Sequence, residues 1–183
     1  MNKLATKHPQ ISEAVCNPGF IKLVETRRQE LEKAYQEWRG QKQVPVKEQK
    51  NGPALVTVPM LPKGSGVYEV ACKINDLPLN FIFDTGASDI SISQTEVQFM
   101  LKNNFMSQRD IRGSQRYMDA SGNIAVGTRI ILRKVEIGGF VLHNVVASVV
   151  NNRVAPLLIG QSALAKYGKI LIDNESKTIT LTR

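Results

Sequence analysis

The chain has 183 residues, with 24 Lys and Arg against 16 Asp and Glu, for a formal net charge of +8. That length suits one domain with an appendage, and no apolar run is long enough to cross a bilayer. The positive excess divides about evenly between residues 1–50 and 51–183 and forms no dense basic tract, so nucleic acid is not an expected partner.

Along the chain, Met1 to Gln10 hold Lys3 and Lys7 but no apolar segment behind them, so no signal peptide is expected. A complete chain of this kind would be cytoplasmic; one that had lost a leader would be exported or membrane-anchored. Asn17-Pro18 reads as an N-cap followed by proline at the first helical position. Phe20, Val24, Leu31, Tyr35 and Trp38 then recur at helical spacing, and Gly40 can end the helix. Glu25, Arg28, Glu32 and Lys33 occupy the opposite face. Residues 1–41 are therefore assigned to an N-terminal helical extension. Its apolar stripe is expected to pack on the domain or on a second copy; a pro-segment or a docking arm are the alternatives. Residues 42–53 are polar, without periodicity, and read as a linker. Residues 54–183 form the main domain.

Leu55 to Val58 reads as a first strand, Gly64-Ser65-Gly66 as a turn, and Val67 to Ile74 as a second strand. Asn75-Asp76 is hairpin-turn chemistry leading into Leu79 to Phe83. Ser93-Gln94-Thr95-Glu96 is a capping-box pattern that opens a helix through Phe99, Met100 and Leu101. Gln115 to Met118 and Ile124 to Leu132 form a hairpin around the small, polar tip Asp119 to Asn123. Val135 to Leu142 is a further hairpin about Gly138-Gly139, and Val145 to Val150 a strand. Arg153 to Leu157 is a loop, Gln161 to Tyr167 a short helix closed by Gly168, and Lys169 to Asp173 and Thr178 to Thr182 are the last strands.

The stretch with chemical meaning is Asp84-Thr85-Gly86-Ala87-Ser88, delivered by the apolar run that contains Phe81-Ile82-Phe83. A buried strand that ends in Asp-Thr-Gly brings a carboxylate to a tight turn. Gly86 lets backbone approach that carboxylate, the Thr85 hydroxyl can bond across to a partner loop, and Ala87 leaves room for substrate. Three residues alone are a weak motif, and the strand before them adds weight. One chemistry open to such a carboxylate is hydrolysis, which needs an activated water and a proton for the leaving group. Two facing carboxylates supply both if they share one proton, because like charges in contact cannot both ionise. The ionised member is the general base; the protonated member polarises the carbonyl. The chain holds no second apolar-Asp-Thr/Ser-Gly: Asp119-Ala120-Ser121-Gly122 follows Arg116-Tyr117-Met118, which is no apolar strand. The simplest dyad pairs Asp84 with its own copy across a two-fold axis.

These residues resemble the catalytic loop of the aspartic proteases, in the retropepsin-like branch whose subunits carry one such loop each. Leu157-Leu158-Ile159-Gly160, then Gln161 to Leu164, is similar to the family's second hallmark. That hallmark is an apolar pair and a glycine before a short helix, packed beside the catalytic loop. The resemblance covers about residues 55–183. It implies a mainly β acid-protease fold with a closed, barrel-like half, joined to the N-terminal helical extension. It implies a homodimer that hydrolyses peptide bonds, with Asp84, Thr85 and Gly86 as the catalytic loop. Ala87, Ser88 and Asp89 would face substrate, although many viral relatives carry Asp where Ser88 stands. The hairpin with Ser121 and Gly122 at its tip would be the flap. Val154, Ala155, Pro156 and Leu157 would line the cleft. A polypeptide would bind extended, pairing its backbone with flap and cleft. Neither a metal nor an organic cofactor is implied.

Two rival readings stand beside this one. The first is a non-catalytic peptide-binding or dimerisation module on the same fold, against which Asp84, Thr85 and Gly86 speak. The second is a protease chiefly processing itself, with residues 1–50 as a pro-segment. Cys16 and Cys72 lack metal-ligand spacing and read as free thiols. His143 reads as a turn or surface residue.

Overall fold

The computed structural model describes residues 18–40, 55–118, 122 and 124–183. The N-cap expected at Asn17, Cys16, the linker and the flap-tip residue Ser121 lie outside the described residues. Helix α1 spans Pro18–Gly40. Strands β1 (Leu55–Pro59), β2 (Leu61–Gly64), β3 (Val67–Ile74), β4 (Leu77–Phe83) and β5 (Ile90–Ser93) lead to helix α2, Gln94–Lys102. A 3₁₀ turn at Gln108–Asp110 precedes β6 (Ile111–Met118), β7 (Ile124–Ile137), β8 (Phe140–Val150) and β9 (Leu158–Ile159). Helix α3 (Gln161–Leu164) and strands β10 (Lys169–Asp173) and β11 (Thr178–Thr182) complete the chain.

The architecture is mainly β. An eight-stranded sheet runs β2-β3-β4-β9-β5-β8-β7-β6, with an additional pairing of β3 to β7. That pairing, from Cys72 opposite Ile137 to Ile74 opposite Val135, returns the sequence of neighbours to β3. The alternation of the strands explains the inner face. Val70, Cys72 and Ile74 of β3 sit opposite Phe81, Leu79 and Leu77 of β4, and all six are buried. Ile90, Ile92, Ile130, Leu132, Phe140 and Ile159 close the same core. The β3–β4 turn is the two-residue kind expected, with positive φ at Asn75 (49°) and Asp76 (73°). Asn75 also bonds outward: its Nδ2 donates to Phe105 O and its Oδ1 accepts from Lys134 N, both at 2.9 Å.

Some elements differ from the sequence reading. Residues 124–137 form one continuous strand rather than two segments. Its burial alternates through Ile130 and Leu132, then changes phase to Val135 and Ile137, where β3 crosses it. The short strands β2 and β5 were not read, since four residues give little periodicity. His143, read as a turn or surface residue, is a surface residue, exposed on β8.

A smaller antiparallel sheet, β1-β11-β10, holds the chain's last strand at its centre. Ile179 and Leu181 are its buried side. It packs on the β7–β8 turn so closely that a Cβ on Gly138 would lie 2.4 Å from Val58 Cγ1. The edge strand β10 leaves Leu171 and Ile172 exposed.

Helix α1 packs on its own domain. Val24 and Leu31 are buried, and the helix lies against α2 and β4. Farther along, Tyr35 meets Phe99 and Phe105 edge-on at 5.8 and 5.5 Å, and Trp38 meets Phe105 at 5.3 Å. Such pairs add about 0.5–1.5 kcal/mol each beyond the area they bury. No helix of the described residues is long and apolar enough to cross a membrane.

Cys72 is a free, buried thiol, and burial pushes its pKa up to about 12. Thiolate is the reactive form, so Cys72 should resist iodoacetamide at pH 8 in the native protein and react once it is unfolded. Its raised pKa also has a sign for stability. Above the ordinary thiol value the unfolded chain loses this proton while the folded chain keeps it, so stability falls as pH rises toward about 12. Peptide mapping after alkylation, with and without denaturant, checks the reactivity.

Candidate active site

The site begins with a crossing. Strand β9 lies between β4 and β5, parallel to β4 and antiparallel to β5. The chain leaving β4 at Asp84 must pass over the end of β9 to enter β5 at Ile90. Residues 84–89 make that passage, and residues 159–162 hold it from beneath. Asp84 N donates to Ile159 O at 3.1 Å, Gln161 N to Ala87 O at 2.9 Å, and Ser162 N to Ser88 O at 2.8 Å. The Ser162 hydroxyl accepts from Ile90 N and donates to Val146 O, tying the loop to β8. Gln161 Nε2 donates to Thr85 O at 2.9 Å.

Gly160 is where the crossing is tightest. A Cβ there would lie 2.4 Å from Asp89 O and 2.5 Å from Ala87 O. Its φ is −111°, open to any residue, so the demand for glycine is steric and not conformational. The apolar-apolar-Gly hallmark thus has a local physical cause.

Asp84 is half-buried, and its Oδ1 accepts from Gly86 N at 2.9 Å. A Cβ on Gly86 would crowd that oxygen at 3.3 Å. Among the described residues, Asp84 Oδ2 and the Thr85 hydroxyl have no hydrogen-bond partner, and Thr85 is exposed. Residues 159–162 thus bond backbone groups of Asp84, Thr85, Ala87 and Ser88, and leave Asp84 Oδ2 and the Thr85 hydroxyl unengaged among the described residues.

Three comparisons with known proteins bear on this arrangement. The family model described as "gag-polyprotein putative aspartyl protease" matches residues 70–166. The chain belongs to this aspartyl protease family. The matched stretch spans both the Asp84 loop and the strand and glycine beneath it. Among solved structures, a retropepsin-like aspartic protease from Rickettsia conorii matches with a TM-score of 0.53 at 20% identity, over 72% of this chain and 94% of that one. At that identity the likeness speaks for the retropepsin-like fold. No match was found among curated proteins.

The other residues that sequence reading placed in this aspartyl protease site are not all brought together. Ala87 is half-buried and Ser88 exposed beside the loop. Asp89 was expected to face substrate, but its carboxylate is engaged within the chain. Its Oδ2 accepts from Ser148 Oγ at 2.9 Å and from Gln115 Nε2 at 3.4 Å. Asp89 therefore ties the loop to β8 and to β6. Nothing in the spacing of Asp89, Gln115 and Ser148 announces this, because the three meet only after β6 and β8 fold over β5. Gly122 has φ +83°, a left-handed value that glycine adopts without strain. Near that tip Met118, Ile124 and Val126 are exposed; Met118 opposes Ile124 and Arg116 opposes Val126 in the ladder, on one face of the hairpin. Val154, Ala155 and Pro156 line a cavity of about 230 Å³ that they share with Leu23, Thr26 and Arg27 of α1. Leu157 departs from its expected place: its side chain is buried in the hydrophobic core at 2% exposure, and its carbonyl accepts from Ile82 N at 2.9 Å. A larger cavity, about 770 Å³, lies along α1 above β3 and β4, away from Asp84.

Gly160→Ala should displace the Asp84 loop. Forcing a methyl into a packed backbone crossing costs about 1–3 kcal/mol, occasionally more. Denaturant titration should show that loss, while Gly40→Ala, whose Cβ meets nothing within 4 Å, should show none.

Proposed function

We propose that the protein is an endopeptidase working as a homodimer, in which two copies of Asp84 hold one water between them. The observation that carries this reading is the Asp84 loop itself. One carboxylate oxygen is fixed by Gly86 N, and the other has no partner among the described residues. One such loop per chain provides half of a dyad, and a two-fold axis completes it.

In this mechanism the two carboxylates share a proton. The ionised member takes a proton from water as it attacks the scissile carbonyl, and the protonated member stabilises the developing oxyanion. Collapse of the tetrahedral species passes the proton to the leaving amine. Thr85 grips its mate across the axis. Ala87 and Ser88 border the bound peptide, the hairpin bearing Ser121 and Gly122 closes over it, and Val154, Ala155 and Pro156 form a wall. Leu157 supports that wall from the core rather than touching substrate. The exposed Leu171 and Ile172 on the edge strand β10 support an association between copies, since an apolar sheet edge is a surface that invites pairing.

Asp84→Asn should abolish peptide hydrolysis and leave a folded protein. A library of mixed-sequence peptides incubated with each form, with circular dichroism on the same samples, checks this. Retained hydrolysis in the variant would remove Asp84 from the chemistry and favour the non-catalytic reading of the fold.

Specific activity should fall on dilution, since mass action sets the dimer fraction, and Thr85→Ala should move the midpoint to higher concentration. Sedimentation velocity run alongside the assay tests this. Constant specific activity in a monomeric sample would refute the shared site.

A further inference from the structure

Helix α1 lies outside the matched family stretch, yet it is joined by polar contacts to the loop that carries Val154, Ala155 and Pro156. The path starts at Arg27, whose Nε donates to Glu96 Oε1 at 2.5 Å. Glu96 sits in the first turn of α2, and its side chain is fully buried. A buried carboxylate needs such a partner. Its other oxygen accepts from the Ser93 hydroxyl. Ser93 is the N-cap of α2, accepting from Thr95 N at 3.1 Å. The expected capping box is thus altered: Glu96 reaches the Ser93 hydroxyl and Arg27 rather than closing on backbone.

The start of α2 then grips the loop. Thr95 Oγ1 donates to Arg153 O at 2.7 Å, and Ser93 Oγ lies 3.0 Å from the same carbonyl. Gln94 N donates to Asn152 O at 3.2 Å, and its Nε2 reaches Asn151 Oδ1 at 2.5 Å. Asn152 Oδ1 in turn accepts from Val154 N at 2.9 Å. Leu23, Thr26 and Arg27 also face Val154 to Pro156 across the small cavity.

We infer that Arg27 is a positioning residue for peptide binding. Through Glu96 and the first turn of α2 it braces residues 151–156, so that α1 sets the shape of one cleft wall instead of acting as a removable pro-segment. The inference rests on the proposed role of that wall in an aspartic peptidase.

The test uses the full chain. Arg27→Ala should raise KM about tenfold for a fluorogenic peptide taken from a mixed-sequence library, with kcat within about twofold, because substrate binding and not the dyad is disturbed. Arg27→Lys should recover part of the loss. Amide exchange at Arg153, Val154 and Ala155 should quicken about tenfold while β3 is unchanged. Lys33→Ala, on the same helix and paired among the described residues with Glu37 alone, is the control and should match wild type. Arg27→Ala strands a buried carboxylate, so the pair Arg27→Ala with Glu96→Gln is measured too. If the brace matters, the pair keeps the faster loop exchange. A return to wild-type exchange in the pair would show a stranded charge instead and overturn the inference. Unchanged loop exchange in Arg27→Ala would also overturn it. If the wild type cleaves no peptide, the exchange result still decides: a faster loop upholds the brace while the peptidase reading falls.

Discussion

Everything at the candidate active site depends on one close passage, where the Asp84 loop crosses Gly160. Strand β9 contributes only Leu158 and Ile159 to the sheet, but it separates β4 from β5 and forces the chain to step over it. The step brings Ala87 O and Asp89 O so near to Gly160 that no side chain fits. In return, residues 159–162 bond the backbone of Asp84, Thr85, Ala87 and Ser88. A loop held in this way fixes the Asp84 carboxylate through Oδ1, while Oδ2 has no partner among the described residues.

The same passage distributes the charged and polar groups of the site. Oxygen Oδ1 of Asp84 is tied down by Gly86, and Asp89 is turned inward to Ser148 and Gln115. Two acidic residues five positions apart therefore have opposite fates. One is presented, and the other is used as a fastener between the loop, β8 and β6. Gln115 lies midway along β6 and pairs with Gly127, so this bond fastens the body of the β6–β7 hairpin to the loop.

Legibility in the sequence followed the range of the interactions. Strands β3 and β4 and the Asn75-Asp76 turn were readable because their cause is local: alternation of apolar residues and a two-residue turn that needs positive φ. The Asp84 motif was readable because strand, carboxylate and glycine are contiguous, and its companion at Gly160 because the apolar pair precedes it directly. The helical stripe of α1 was readable, including Val24 and Leu31 that it buries. What it packs on was not, since Phe99 and Phe105 lie sixty or more residues away from Tyr35 and Trp38. Leu157 was misplaced for a related reason. It sits where an exposed loop becomes a buried strand, and only the bond from Ile82 shows on which side of that boundary it falls. The engagement of Asp89 was hidden entirely, because its partners come from two other strands.

The family stretch and the helix outside it meet at α2. Its first turn receives the buried end of the α1 ion pair and also holds the carbonyls of Asn152 and Arg153. A carboxylate such as Glu96 is costly to bury unless its oxygens are occupied, and both are: one by a residue of α1, the other by the N-cap of α2. Removing α1 would leave that carboxylate without its cation in the interior. The extension is thus built into the electrostatics of the domain and not merely laid on its apolar surface. Its contact with the Val154–Pro156 segment places a part of the chain with no counterpart in the matched family stretch against the proposed wall of the cleft.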